Sequence, residues 1–260
     1  MKSLAITIDG SENDANSLRF AAALARGAGM SLTVYHKLGE EVIVGSFDVL
    51  AIPIDNSESV NRARRHAAEA FAAETADLPA ARFVEVDTDP ATLVRTLAVY
   101  HDLLLIERVT DAAGPDGGNL NAMLWDAHSP VIVTPPTLLP GRIEKIAVAW
   151  NASLPAAHAL KSALHLFGPD KEFVILTRAG TEKDEELARY LACHGCQAVK
   201  WRDYGSPDLS ARGWARALLA VASEEKADLL AAGAHGGFLN FGRATAKLAT
   251  AATMPVMLAA

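Results

Sequence analysis

Near its carboxyl end the chain reads AGAHGGFLNFGRAT over residues 232–245, with glycines at 233, 236, 237 and 242. Residues without a Cβ let backbone N–H groups approach an anion, and a helix N-terminus adds free N–H groups and a favourable dipole. A glycine loop that opens a helix is therefore suited to phosphate. Arg243 stands where that helical pattern begins, and its guanidinium either meets a phosphate or extends into solvent. His235 lies in the same loop, but no serine or cysteine with an orienting carboxylate is spaced to make it a general base, so it reads as a lining residue. Cys193 and Cys196 form CHGC, the only cysteines of the chain. They follow EELARYLA, which places them in a helix's last turn with Gly195 as a left-handed cap instead of in a metal site or redox pair. The chain has no G-x-G-x-x-G after its first strand and no G-x-x-x-x-G-K-[ST], which disfavours dinucleotide dehydrogenases and P-loop hydrolases.

Composition narrows the class further. Half of the 260 residues are hydrophobic and 21% are charged, and no apolar run approaches the roughly 20 residues that cross a bilayer. The opening MKSLAITIDG has one lysine and a short apolar run that ends at Asp9, unlike a secretory leader, so a cytoplasmic protein is expected. A net charge of −7 disfavours a nucleic-acid surface. Residues 1–140 hold 10 Lys and Arg against 19 Asp and Glu, whereas residues 141–260 hold 14 against 12. An anionic small ligand fits the second half better.

The elements that must position these residues occur twice. SLAITIDGS (3–11) matches KIAVAWNAS (145–153), HDLLLIE (101–107) matches ADLLAAG (227–233), and SPVIVTPP (129–136) matches MPVMLAA (254–260), in the same order. The first copy is about 16 residues longer, and the excess falls within LGEEVIVGSFDVLAIPIDNSES. Apolar runs alternate with helical spacing: Leu18, Ala21, Ala22 and Ala25 in one copy, Leu160, Ala163, Leu164 and Phe167 in the other. Ser11 and Ser153 are placed to cap the first helix of each copy. Strand and helix in regular alternation predict a parallel sheet covered on both faces with right-handed crossovers. Ligands of such sheets bind beyond the carboxyl ends of the strands, which singles out the residues after strands one and four.

Together these segments resemble a tandem universal stress protein, over the whole chain. In nucleotide-binding members of that family an Asp ends strand one and G-x2-G-x9-G-[ST] links strand four to helix four. Here Gly233-Ala-His-Gly236 supplies G-x2-G, Gly242 follows after five residues, Arg243 stands where Ser or Thr is expected, and Asn151 replaces the Asp. The first copy keeps Asp9, but its fourth-strand loop has no G-x2-G and carries Asp111 and Asp116. The resemblance implies an α/β protein of two open parallel-sheet, Rossmann-like domains in pseudo-twofold relation. Domain 1 (residues 1–137) has a degenerate nucleotide loop, and domain 2 (143–260) a partial one. It implies an adenine nucleotide (ATP, ADP or AMP) in the second domain, with Gly233, Gly236 and Gly242 around phosphate and Asn151 near the base. His235, Arg243, Thr245 and Trp150 complete that set, with Asp9 as the first-domain counterpart. Trp125, Trp201 and Trp214 read as core or interface. The implied protein acts by conformation or through an unidentified protein partner, without membrane, nucleic acid or metal cluster, and needs no catalysis. An interaction scaffold with both sites decayed is the alternative. A nucleotide hydrolase or phosphotransferase is a third, lacking an evident base, carboxylate cluster or lysine at the strand ends. The final strands PVIVT (130–134) and PVMLA (255–259) are expected to pair antiparallel, giving an internal pseudo-dimer linked through TPPTLLPGRIE (134–144), with a homodimer as the further association.

Overall fold

The structure is a computed structural model that describes residues 2–38, 57–88, 90–107, 129–135, 141–181, 183–205, 209–234 and 243–259. Its strands are β1 (Lys2–Ile8), β2 (Met30–Lys37), β3 (Arg82–Val86), β4 (Leu103–Glu107), β5 (Val131–Thr134), β6 (Lys145–Ala149), β7 (Glu172–Thr177), β8 (Val199–Asp203), β9 (Leu229–Gly233) and β10 (Val256–Ala259). The helices are α1 (Asp14–Ala28), α2 (Ser57–Thr75), α3 (Pro90–Tyr100), α4 (Leu154–Phe167), α5 (Glu185–Cys193), α6 (Ala211–Glu224) and α7 (Arg243–Ala251). The fourth helix expected in the first copy lies outside the described residues. Among the described residues the ten strands form one sheet in the order β3-β2-β1-β4-β5-β10-β9-β6-β7-β8. Every pairing is parallel except β5 with β10, where Val133, Ile132 and Val131 face Val256, Met257 and Leu258. The expected antiparallel junction is thus present, within one chain.

Parallel strands covered on both faces read as unbroken apolar runs, and β4, β5 and β10 are buried along nearly their whole length. Alternate residues of each strand enter two different cores. Leu4, Ile6, Leu18, Ala67, Leu160 and Leu187 belong to one continuous apolar cluster, so α1, α2, α4 and α5 cover one face. Ala5 belongs to the cluster on the other side, which includes Leu93, Leu218 and Leu248 of α3, α6 and α7. The connection from β2 to α2, residues 38–56, is twelve residues longer than its second-copy counterpart, residues 178–184, and α2 is ten residues longer than α5, while the stretch from β3 to β4 is nine residues shorter than that from β8 to β9.

Residues shared by the two copies explain the repeat physically. The carboxylate of Asp102, just before β4, accepts the Ser3 amide at 2.7 Å, and that of Asp228, before β9, accepts the Glu144 and Lys145 amides at 2.9 Å. Each Asp thereby fixes the amino end of a central strand, and the Ser3 amide holds the Asp102 carboxyl below its ordinary range. The carbonyls of Pro130 and Pro255 likewise accept the amides of Leu104 and Leu230, both at 3.0 Å.

Capping differs between the copies. Ser153 caps α4, its hydroxyl accepting the Ala156 amide at 3.4 Å. Ser11 does not cap α1, contrary to expectation: the helix begins only at Asp14, after a turn in which the Ser11 carbonyl accepts the Asp14 amide at 3.3 Å. CHGC ends α5 as expected. Gly195 is left-handed at φ +83°, its amide meets the Ala192 carbonyl and the Cys196 amide meets that of Leu191, both at 3.0 Å. Cys196 is buried, which raises its thiol pKa.

Deleting residues 255–260 should uncover the β5 edge and turn the protein into dimers or aggregates visible by light scattering. A monomer with unchanged melting would contradict the junction.

Candidate functional site

The carboxyl ends of the central strands place the expected residues. In the second half β9 pairs with β6, Ala231 beside Val148, so Gly233 ends next to Trp150 and Asn151. Arg243 and Thr245 lie in the first turn of α7, while His235, Gly236 and Gly242 lie outside the described residues. In the first half Asp9 follows β1 and Glu107 ends β4, the position that corresponds to Gly233.

That exchange of Glu for Gly changes both packing and charge. A Cβ on Gly233 would stand 2.5 Å from the Pro155 carbonyl carbon and 2.6 Å from the Ala156 nitrogen, so only glycine lets the first turn of α4 sit on the end of β9. Gly233 therefore has a packing reason beside any contact with phosphate. In the first half Glu107 occupies the equivalent place, α1 begins later, and the Ser17 hydroxyl donates to the Glu107 carboxylate at 3.3 Å.

The first-half edge is consequently acidic. Asp14 is buried at 2% exposure; its carboxylate accepts the Gly10 amide at 2.7 Å and has the Ser11 hydroxyl at 3.5 Å. Burial, aided by the charges of Asp9 and Glu107, pushes its pKa up to about 7, and burial also raises that of Glu107. His36, at the end of β2, stacks on Phe83 and is driven towards the neutral form by burial, so it brings no compensating charge. Asp9 accepts the Ser11 amide at 3.0 Å. Sequence reading missed Asp14, Ser17 and Glu107. The start of α1, read two residues early, hid Asp14, and Glu107 looked like an ordinary strand end.

The second-half edge is uncharged at the matching positions and tightly held. Asn151 Oδ1 accepts both the Ser153 amide at 3.2 Å and its hydroxyl at 2.6 Å. The Trp150 indole donates to Asp184 at 3.0 Å, and the same carboxylate caps α5 through the Leu187 amide at 2.9 Å. A cleft of about 460 Å³ opens one strand further on, lined by Thr177, Thr181, Lys183, Trp201, Arg202 and Asp203. Among the described residues, no group of three His, Cys, Asp or Glu side chains is placed to hold a metal ion, and no helix is long and apolar enough to cross a membrane.

Because β5 and β10 pair antiparallel, the strands of the two halves run in opposite directions and the carboxyl ends of β1 and β6 lie at opposite edges of the sheet, so one small ligand does not touch both halves.

No protein-family model matches the sequence, and no curated protein matches it. Solved structures do. A universal stress protein from Archaeoglobus fulgidus aligns over 99% of this chain and 95% of its own at a TM-score of 0.71 and 16% identity. A putative universal stress protein from Pseudomonas aeruginosa aligns over 100% and 93% at 0.60 and 14%. A functionally unknown protein from the same species aligns over 100% and 92% at 0.61 and 14%. The chain has the universal stress protein fold. Nearly its whole length is taken up by that architecture, with the β-α pattern present twice.

Gly233→Ala should destabilise the protein without any ligand, by about 1–3 kcal/mol, because the new methyl meets backbone atoms. A melting temperature equal to the parent's would contradict the packing. Asp14 supplies a test in pH. Its folded pKa of about 7 exceeds the ordinary 3.8, so the native state holds an extra proton between those values. Stability therefore falls as pH rises from about 4 to about 7 and is level above. Asp14→Asn should remove that part of the slope and raise stability at pH 8 by on the order of 2–4 kcal/mol, read from urea melts at pH 5 and pH 8. Parallel profiles for the two proteins would contradict it.

Proposed function

We propose that the chain is a cytoplasmic, universal stress protein-like stress-response protein that binds an adenine nucleotide on its second half. It acts by conformation or through a protein partner, without catalysis. The observation that carries this reading is the exchange at equivalent strand ends. Asp9 and Glu107 set carboxylates where a phosphate would approach the first half, with Asp14 buried beside them, against Gly233 and Asn151 in the second. The less acidic balance of residues 141–260 supports the same choice. In this reading residues 1–137 and 143–260 are two domains, the first a structural partner. Gly233, Gly236 and Gly242 surround the phosphates with Arg243 and Thr245 at the opening of α7, His235 lines the loop, and Trp150 and Asn151 border the nucleoside.

The scaffold reading draws on Asn151, whose side-chain oxygen is already engaged by Ser153. A thermal-shift series with ATP, ADP and AMP separates the two. Nucleotide should raise the melting temperature, and Gly236→Val should abolish the rise, because a β-branched side chain blocks amide approach to phosphate. No rise with any nucleotide would favour the scaffold, and a rise unaffected by Gly236→Val would put the ligand elsewhere.

A further inference from the structure

The cleft at the carboxyl ends of β7 and β8 carries a set of groups that the residues singled out by sequence do not include. Trp201 is half-buried against the core, and the Lys183 ammonium lies 5.8 Å from its ring centroid. Lys183 is exposed and makes no ion pair among the described residues, so a flat ligand can exchange with it over the indole at little cost. At the edge of the cleft the Thr177 hydroxyl donates to one oxygen of Asp203 at 3.3 Å, and the other oxygen has no partner among the described residues. Arg202 is turned to Glu224 and Glu225 instead of to Asp203. An aromatic face beside an oriented acceptor suits a planar heterocycle with an exocyclic amine: the ring stacks and the amine donates. Asn151 cannot serve as that acceptor while Ser153 holds its carbonyl oxygen twice.

We infer that this cleft holds the adenine ring, stacked on Trp201 with its amino group donating to Asp203, and that Thr177 is a positioning residue for that carboxylate. The assignment rests on the nucleotide reading above. It also sets which nucleotide fits. From between β7 and β8 to β9 there are two and a half inter-strand gaps, about 12 Å at about 4.8 Å each. Ribose together with a di- or triphosphate chain reaches towards the end of β9, and ribose with a single phosphate falls short. ATP and ADP then bind more tightly than AMP, and AMP no better than adenosine.

Calorimetric titration of the full chain with adenosine and inosine tests this without phosphate. Adenosine should bind and be preferred over inosine, whose 6-oxo group would face the carboxylate. Trp201→Ala should weaken adenosine about tenfold, whereas Trp201→Phe, which keeps a stacking ring, should largely retain it. Asp203→Asn should narrow the preference, since an amide can donate to the oxo group. Absence of adenosine binding, equal binding of inosine, or an unchanged affinity in Trp201→Ala overturns the inference. The two readings fail separately. If ATP binds no better than adenosine while the Trp201 effect persists, the phosphate reading alone falls. If Gly236→Val abolishes ATP binding and Trp201→Ala leaves it intact, the cleft alone falls.

Discussion

The antiparallel pairing of β5 with β10 is the constraint on which the rest depends. Each half is a five-stranded sheet whose last strand is short, apolar and buried, and such an edge left open would recruit another chain. Joining Val133 to Val256 and Val131 to Leu258 satisfies both edges at once and makes one ten-stranded sheet. The outer edges that remain, β3 and β8, carry Arg82, Glu85, Lys200 and Arg202, charges that suit solvent and oppose further pairing. Arg64 on Glu85, and Lys200 and Arg202 on Glu225, tie those edges back to the neighbouring helices.

The two strand sets share a scaffold and differ in chemistry. What stays alike is the scaffold: Asp102 and Asp228 fasten the amino ends of β1 and β6, and Pro130 and Pro255 begin the closing strands. What differs lies at the carboxyl ends. One half buries Asp14 beside Glu107, whereas the other seats α4 on a glycine and caps it with Ser153. The cost of burying a carboxylate falls on the half that keeps Asp9, and a preformed, uncharged edge belongs to the half with Asn151.

Much of the fold was legible because a parallel sheet writes itself as apolar runs at regular spacing. The repeat, the pairing of the final strands, the cap at Ser153 and the helix end at CHGC could all be read from residue types. Ser11 was misread because a serine after a strand signals a cap equally well at two offsets, and only packing chose the later start at Asp14. Trp201 read as core or interface, and Asp203, Thr177 and Lys183 were not singled out, because their convergence depends on β8 lying beside β7 and on the path of the 178–184 connection. The glycine loop itself, clearest of all in the sequence, has its centre outside the described residues.

The central claim is that ligand chemistry belongs to the second half and structural support to the first. Hydrogen–deuterium exchange of the full chain with and without ATP reads it most directly, because bound nucleotide slows exchange of the amides it covers. Slowed exchange is expected in peptides spanning residues 177–203 and 233–250, with peptides covering residues 8–17 and 103–107 unchanged. Protection confined to the ends of β1 and β4, beside Asp9 and Glu107, would contradict the account.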